Sequence, residues 1–265
     1  MPNNHGDFVW YELITSDPDS ASAFYSSMLG WSVKDSGMPD FDYRIASTQE
    51  APIAGLMRPP AGASMPSAWL GYIAVDNVDA AVAAIRDAGG AVHMEPWDVP
   101  GVGRLAFVAD PQGALFYVMK GENPQESLAF SYDKPRPGHC AWNELATSDP
   151  ARAMQFYCAR FGWEKDGEMD MGPMGTYEFL RHAGRAPAES MKGMLGAVWP
   201  KPPQMPVSAW SFYFRVPDID AAVAHIKSNG GSIFQEPIEI PGGDYALNGV
   251  DPQGAHFALV GARKA

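Results

Sequence analysis

Helical and extended hydrophobic patterns alternate along this chain in one order, and the order is then repeated. Asp17-Pro18 offers an N-cap followed by a proline at the first helical position. Ala21, Phe24, Tyr25, Met28 and Leu29 follow at helical spacing, and Gly30 ends the pattern. Asp149-Pro150, Ala153, Phe156, Tyr157, Phe161 and Gly162 form the same sentence later in the chain. A second kind of apolar stripe runs Val78, Ala81, Val82, Ile85 up to Gly89-Gly90, and again Ile219, Ala222, Val223, Ile226 up to Gly230-Gly231. The rest reads as strands. In the first half these are expected at 8–15, 31–35, 42–48, 52–58, 69–75, 91–95, 103–109 and 114–119.

The repetition extends to residue identity. WYELITSDPDSASAFYSSMLGW (Trp10 to Trp31) recurs as WNELATSDPARAMQFYCARFGW (Trp142 to Trp163), an offset of 132 residues. Asp110-Pro-Gln-Gly-Ala114 is identical to Asp251-Pro-Gln-Gly-Ala255, with the offset now 141. The insertion falls within 165–205, where Gly, Met and Pro are dense and loops absorb length cheaply. A period this long signals two copies of one domain. The expected organisation is a first domain over 1–122, a Pro-rich linker over 123–137, and a second domain over 138–265. Each copy reads as two βαβββ units. Such a unit covers one sheet face with its helix, and pairing two units closes the other faces into a cup. The fold class is therefore α+β, and the cup interior is the natural ligand cavity.

Composition narrows the partners. The 265-residue chain is 46% hydrophobic and 19% charged, a globular balance. Its net charge of −12 argues against nucleic acid and anionic membrane, and suits either plain solubility or a cationic ligand. With only Cys140 and Cys158 there is no disulfide framework. The N-terminus lacks a basic and an apolar signal region, and the uncharged stretch Pro59–Val75 is broken by Pro and Gly. A cytoplasmic monomer or homodimer is expected. No phosphate-binding glycine loop, nucleophile elbow or Cys-x-x-Cys is present, and the histidines form no pair at metal-ligand spacing.

Several motifs together resemble a known family. They are Phe-Tyr shortly before Gly-Trp, Asp-x-x-x-Ala in the second helix, Gly-Gly, Gly101-Val-Gly-Arg104, and Asp-Pro-Gln-Gly-Ala. The chain resembles the vicinal oxygen chelate superfamily, which includes glyoxalase I, extradiol dioxygenases and bleomycin- and fosfomycin-resistance proteins. Within it, the chain is similar to tandem glyoxalase-like proteins of the actinobacterial hydroxylase and antigen type. The resemblance implies two glyoxalase-like domains and ligands contributed by the first and last strands of each βαβββ unit. Those positions fall on Trp10, Gly55, Leu70 and Tyr117 in the first copy and on Trp142, Gly193, Ser211 and Ala258 in the second. None is a strong metal ligand, so no cofactor is expected, although a divalent metal is compatible with the family.

The same mapping selects candidate site residues. Glu12 and Glu144 stand two residues beyond Trp10 and Trp142, hence on the same strand face. Each is a candidate general base, or a structural acceptor that pins its strand. His256 replaces Leu115 two residues before the last ligand position and is a candidate proton carrier beside Glu144, or a hydrogen-bonded histidine in a partly exposed strand. Arg104 in copy one, where copy two has Asp244-Tyr245, is a candidate anion contact or an ion-pair partner. Trp10, Trp142, Tyr72, Tyr213, Tyr117 and Tyr245 complete the expected lining, whereas Trp69 and Trp210 suit the core. The leading expectation is a small organic ligand and metal-independent acid/base chemistry, with copy two the preferred active copy. The alternatives are a sequestering protein of bleomycin-resistance type and a metal-dependent glyoxalase or dioxygenase.

Overall fold

The computed structural model describes all residues except 1–2, 39–40, 61, 63–64, 132–133, 185–192 and 265. Part of the expected linker (132–133) and the middle of the expected insertion (185–192) thus lie outside the described residues. The first copy runs β1 (Phe8–Ile14), α1 (Pro18–Leu29), β2 (Ser32–Asp35), β3 (Tyr43–Ser47), β4 (Pro52–Met57), β5 (Ala68–Ala74), α2 (Val78–Asp87), β6 (Ala91–Val99), β7 (Gly103–Ala109) and β8 (Leu115–Gly121). The second runs β9 (Cys140–Thr147), α3 (Pro150–Phe161), β10 (Trp163–Asp170), β11 (Thr176–His182), β12 (Gly196–Pro200), β13 (Ala209–Val216), α4 (Ile219–Ser228), β14 (Ser232–Glu239), β15 (Tyr245–Val250) and β16 (His256–Gly261). The α+β class and the four βαβββ units are as expected. Each copy supplies one eight-stranded mixed sheet, in the order β2-β3-β4-β1-β5-β8-β7-β6 and its counterpart β10-β11-β12-β9-β13-β16-β15-β14.

The helix signals work as the sequence implies. Asp17 and Asp149 accept backbone N–H bonds at the helix starts, and Gly30 and Gly162 close the ends in left-handed conformation. β6 and β14 run further than expected, through Pro96 and Pro237. Both are edge strands with register shifts around the proline, the place where a residue without an N–H does least harm.

Chain contacts divide the molecule into two compact units that cross the repeat. One comprises Met1–Val9, Gly71–Ser127 and Asn143–Trp210; the other comprises Trp10–Leu70, Leu128–Trp142 and Ser211–Ala265. Each therefore joins a first βαβββ unit of one copy to a second βαβββ unit of the other.

A buried hydrogen-bond relay lies inside each unit. In one, Trp210 Nε1 donates to the Tyr157 hydroxyl (3.0 Å), which donates to Asp110 Oδ2 (3.2 Å). In the other, Trp69 Nε1 donates to Tyr25 (3.0 Å), which donates to Asp251 Oδ2 (2.9 Å). The other carboxylate oxygen of each aspartate accepts the N–H groups of its own Asp-Pro-Gln-Gly-Ala turn, from Gln112 and Ala114 or from Gln253 and Ala255. The repeated Phe-Tyr pairs are thus core, as are Trp69 and Trp210. Burial pushes both aspartates above, and both tyrosines well above, their ordinary ranges.

The segments that enter the copies are tied down in parallel ways. Trp163 Nε1 donates to the Gly6 carbonyl (2.9 Å), and Trp31 Nε1 to that of Gly138 (2.7 Å). Gly6 has φ +90°, and a Cβ there would stand 2.1 Å from the Phe161 carbonyl oxygen, so only glycine suits the position. Asp7 forms an ion pair with buried His182 (2.8 Å). In the other unit the matching positions hold His139, whose Nδ1 meets the Leu128 carbonyl (2.6 Å) and Nε2 the Thr48 hydroxyl (3.1 Å). Ala129 and Phe130 are buried beside it, with Phe130 bridged to Cys140.

Two outcomes follow from this packing. Tyr157→Phe leaves the Trp210 N–H and an Asp110 oxygen unpaired in the core, and should cost about 1–3 kcal/mol in urea denaturation, with Tyr25→Phe costing a similar amount; a loss below about 0.5 kcal/mol would mean that the relay adds nothing net. Burial also holds His139 below its ordinary pKa of 6.5. The unfolded chain therefore takes up this proton first, so stability held above pH 6.5 is lost as the pH falls below it. Melting temperature should drop across that range in the wild type and drop less in His139→Gln. An equal drop in both would remove His139 as a contributor.

Candidate functional site

The face of each half-sheet away from its helix carries most of the candidate residues, and the two copies furnish it differently. On β1, alternation puts Trp10, Glu12 and Ile14 on this face and Tyr11 and Leu13 on the packed one, where both are fully buried. Glu12 pairs laterally with Gly55 on β4, and Gly55 with Ile45 on β3. Tyr43, two residues from Ile45, lies over Gly55: a Cβ there would stand 2.0 Å from the Tyr43 hydroxyl oxygen. That hydroxyl accepts the Trp10 indole N–H at 2.9 Å. Glu12, 3% exposed, is sealed.

The first half of the second sheet has the same register with altered side chains. Glu144 pairs with Ala197, and Ala197 with Phe179. Ala197 holds the place of Gly55 and carries the methyl group that the Tyr43 placement forbids. Tyr177, the counterpart of Tyr43, instead donates its hydroxyl to Glu144 Oε2 at 2.6 Å. This is a short charge-assisted bond to a carboxylate that is only partly buried. The spacing in the sequence places Gly193 as the counterpart of Gly55. Gly193 lies instead in a turn ahead of β12, because the inserted residues precede that strand; the matching residue is Ala197.

The second half-sheets differ more. Tyr72 (β5), Tyr117 (β8) and Phe107 (β7) are lateral neighbours. Their rings stack, with centroids 4.3 Å apart between Tyr72 and Tyr117 and 4.6 Å between Tyr117 and Phe107. The same row in copy two reads Tyr213 (β13), Ala258 (β16) and Asn248 (β15). The central ring is missing, and the Asn248 amide donates to the Tyr213 hydroxyl at 3.2 Å. Trp142 packs with Ala141 and Ile240 on the cluster of Tyr213, Ala246, Ala258 and Val260. His256 shares the face of Ala258 but is exposed at the strand start, opposite Val250 and 5.3 Å from the Phe234 ring.

Two expected lining residues sit on the other face. Arg104 and Tyr245 fall on the helix side because the pleat turns each away from its neighbours Leu105 and Ala246. Arg104 is engaged by Asp79 on α2 (2.8 Å) and by Asp98 (3.1 Å), the ion-pair role rather than an anion contact at a mouth. Tyr245 lies under the Arg263 guanidinium, 4.2 Å from its ring centre, and Arg263 in turn bonds Asp220 on α4. The residues that sequence reading passed over are Tyr43, Tyr177, Asn248 and Phe107. Tyr43 and Tyr177 were visible as a matched pair in the repeat; the other two lie in β7 and β15, where the copies have diverged and identity offers no guide.

The donor set does not fit a transition metal. Of the expected ligand positions only Tyr117 and Ser211 carry a side-chain oxygen, and the strands β1 and β9 each add one carboxylate, Glu12 or Glu144. Among the described residues no group of three or more His, Cys, Asp or Glu comes together. Among them, too, no helix is long and apolar enough to cross a membrane.

Comparison with known proteins agrees with this architecture. Residues 7–118 and 136–259 match the profile of the Glyoxalase/Bleomycin resistance protein/Dioxygenase superfamily. The chain is 34% identical over 256 residues to the Mycobacterium bovis protein named "Putative glyoxylase CFP32", covering 95% of this chain and 93% of that one. It is 32% identical over 274 residues to the anthracycline biosynthesis protein DnrV of Streptomyces peucetius, covering 97% and 93%. The Mn(II)-bound glyoxalase from Novosphingobium aromaticivorans shares the fold, with a TM-score of 0.65 at 19% identity over 98% of this chain and 83% of that one.

The Gly55 contact yields a direct test. Gly55→Ala should displace Tyr43, break its bond to Trp10 and destabilise the protein by about 1–3 kcal/mol, with a shift in tryptophan emission. An unchanged stability and spectrum would show that Tyr43 does not need the space over Gly55.

Proposed function

Because the chain belongs to the Glyoxalase/Bleomycin resistance protein/Dioxygenase superfamily, we propose that its second copy binds a small organic molecule and acts on it by metal-independent acid/base chemistry. The observation that carries this reading is the contrast between the two glutamates. Glu12 is buried, whereas Glu144 is partly exposed and receives the Tyr177 hydroxyl at 2.6 Å. A partly exposed carboxylate held in one orientation by a donated hydrogen bond is equipped to take a proton from a bound substrate. His256, exposed at the start of β16, is a further candidate proton carrier in this copy. First-copy residues Trp10, Glu12, Tyr72 and Tyr117, engaged with one another or sealed, serve as scaffold. The metal-independent form of the reading is supported by the poverty of donors at the expected ligand positions.

A second reading has its own support. Aromatic and apolar lining with few ionisable groups also suits a protein that sequesters its ligand unchanged, as expected for a bleomycin-resistance type. Turnover separates the two.

Native mass spectrometry of gently purified protein tests the reading. A co-purifying small molecule should be retained by Glu12→Gln. Its occupancy, or its conversion, should fall about tenfold or more in Glu144→Gln and in His256→Ala. Exhaustive dialysis against a chelator should leave both unchanged. Loss confined to Glu12→Gln would reverse the choice of copy. About one equivalent of manganese, iron, nickel or zinc surviving dialysis, with activity abolished by its removal and restored by its return, would overturn the metal-independent form.

A further inference from the structure

Away from the sheet faces, a groove of about 290 Å³ lies between α2 and α3, which belong to the same compact unit. Its size is at the small end of the range for small-molecule sites. The floor is made of methyl groups: Ala80, Ala81 and Ala84 line it along one face of α2, and Ala159 lines it from the last turn of α3. His5 closes one side. A carbonyl can only accept, so His5 Nε2 donates to that of Arg160 (2.7 Å), and Nδ1 accepts the Asp76 N–H (3.3 Å). Arg160 also lines the groove. Its Nε donates to the Ala84 carbonyl on α2 at 3.2 Å, and its two terminal nitrogens have no hydrogen-bond or ion-pair partner among the described residues.

The other compact unit carries the same framework without this arrangement, so the fold does not require it. By the repeat, Ala84 corresponds to His225, Arg160 to Met28, His5 to Pro137 and Asp76 to Pro217. There the bridge between helices is built from the opposite side: His225 on α4 donates to the Phe24 carbonyl on α1 (3.0 Å), with its ring 5.4 Å from that of Phe24. One unit thus has an imidazole on its helix seam where the other has a methyl group. Such a loss of bulk leaves space unless the neighbours collapse, and between α2 and α3 the space is kept. A guanidinium stands beside that space where the other unit has a thioether. Removing bulk and adding a cation at one place does nothing for packing and suits a bound anion.

We infer that the groove between α2 and α3 binds a small monocarboxylate with an apolar tail, its carboxylate on the Arg160 guanidinium and its tail on the alanines of α2. The planar guanidinium matches a carboxylate in geometry and charge. One cation in a chain of net charge −12 suits a monoanion better than a phosphate or a dicarboxylate. The alanine floor, with Ile85 and Phe161, offers no side-chain partner to a polar tail. Asp76 does not cancel Arg160, because its carboxylate is solvent-exposed at the start of α2 and Ala84 lies roughly 10 Å further along the helix. The site is independent of Glu144 and of which copy is active.

The probe is hexanoate, compared with hexanamide, its neutral counterpart. Ligand-observed NMR titration of the full chain at low salt should show one saturable hexanoate site, at least about tenfold tighter than that for hexanamide. Arg160→Met, which installs the residue of the other unit, should weaken hexanoate about tenfold or more and leave hexanamide unchanged. Ala84→His, which brings the other unit's imidazole into the groove, should abolish binding of both. Melting temperatures of the two variants are read alongside; if Ala84→His melts early, Arg160→Met still decides the matter through the split between hexanoate and hexanamide. Failure of hexanoate to saturate the wild type, equal binding of hexanoate and hexanamide, or hexanoate binding undiminished in Arg160→Met overturns the inference. Binding weakened in Arg160→Met but undiminished in a stably folded Ala84→His would put the carboxylate on Arg160 outside the groove, and overturns it as well.

Discussion

A tyrosine hydroxyl shared between an indole and a carboxylate is the contact on which each compact unit depends. Trp210–Tyr157–Asp110 and Trp69–Tyr25–Asp251 each join three elements that the chain visits far apart. The aspartate is the pivot. One of its oxygens shapes its own turn, and the other receives the tyrosine. Desolvation opposes the charge there, as the upward shift of Asp110 and Asp251 shows, and the bonds offset that cost. An apolar substitute of similar size would pack, but it would not choose between partners. The relay is therefore best understood as a device for pairing the right helix with the right turn.

Once that pairing is made, the faces of the sheets away from their helices are released from holding the fold, and they have diverged. In copy one Tyr43 lies over Gly55, and Tyr117 lies between Tyr72 and Phe107. In copy two the small residues have moved. Ala197 replaces Gly55, Ala258 replaces Tyr117, and a tyrosine and a tryptophan are redirected in consequence. These exchanges are mutually consistent. Adding one methyl group at 197 denies Tyr177 the place of Tyr43, and its hydroxyl turns to Glu144. Copy one thus has a tyrosine ring at 117 where copy two has Ala258, and copy two has a partly exposed carboxylate at Glu144 where Glu12 is buried.

How much was legible beforehand depends on the range of the interaction. Helices, caps and most strand limits were, because i, i+3, i+4 spacing and alternation are local consequences of backbone geometry. Glu12 and Glu144 were legible as facing the same way as Trp10 and Trp142 for the same reason. Arg104 and Tyr245 were misplaced because their positions were judged from a loop motif without the parity of the strand that follows, and one residue of parity exchanges the faces. Asn248 was invisible: it matches nothing in copy one, and its meaning comes only from standing in a row with Ala258 and Tyr213.

The sequence by itself determined that there are two copies, that each is two βαβββ units, and which residues can be core. It did not determine which copy's tyrosine meets which copy's aspartate. Tyr25 and Tyr157 occupy equivalent places, as do Asp110 and Asp251, so the pattern is degenerate between pairing within a copy and pairing across copies. Tertiary structure decided for the crossed arrangement, Tyr25 with Asp251 and Tyr157 with Asp110. The physical reason is that periodicity reports which face of an element is apolar, whereas the choice of partner is made by the summed packing of whole surfaces that no local window contains.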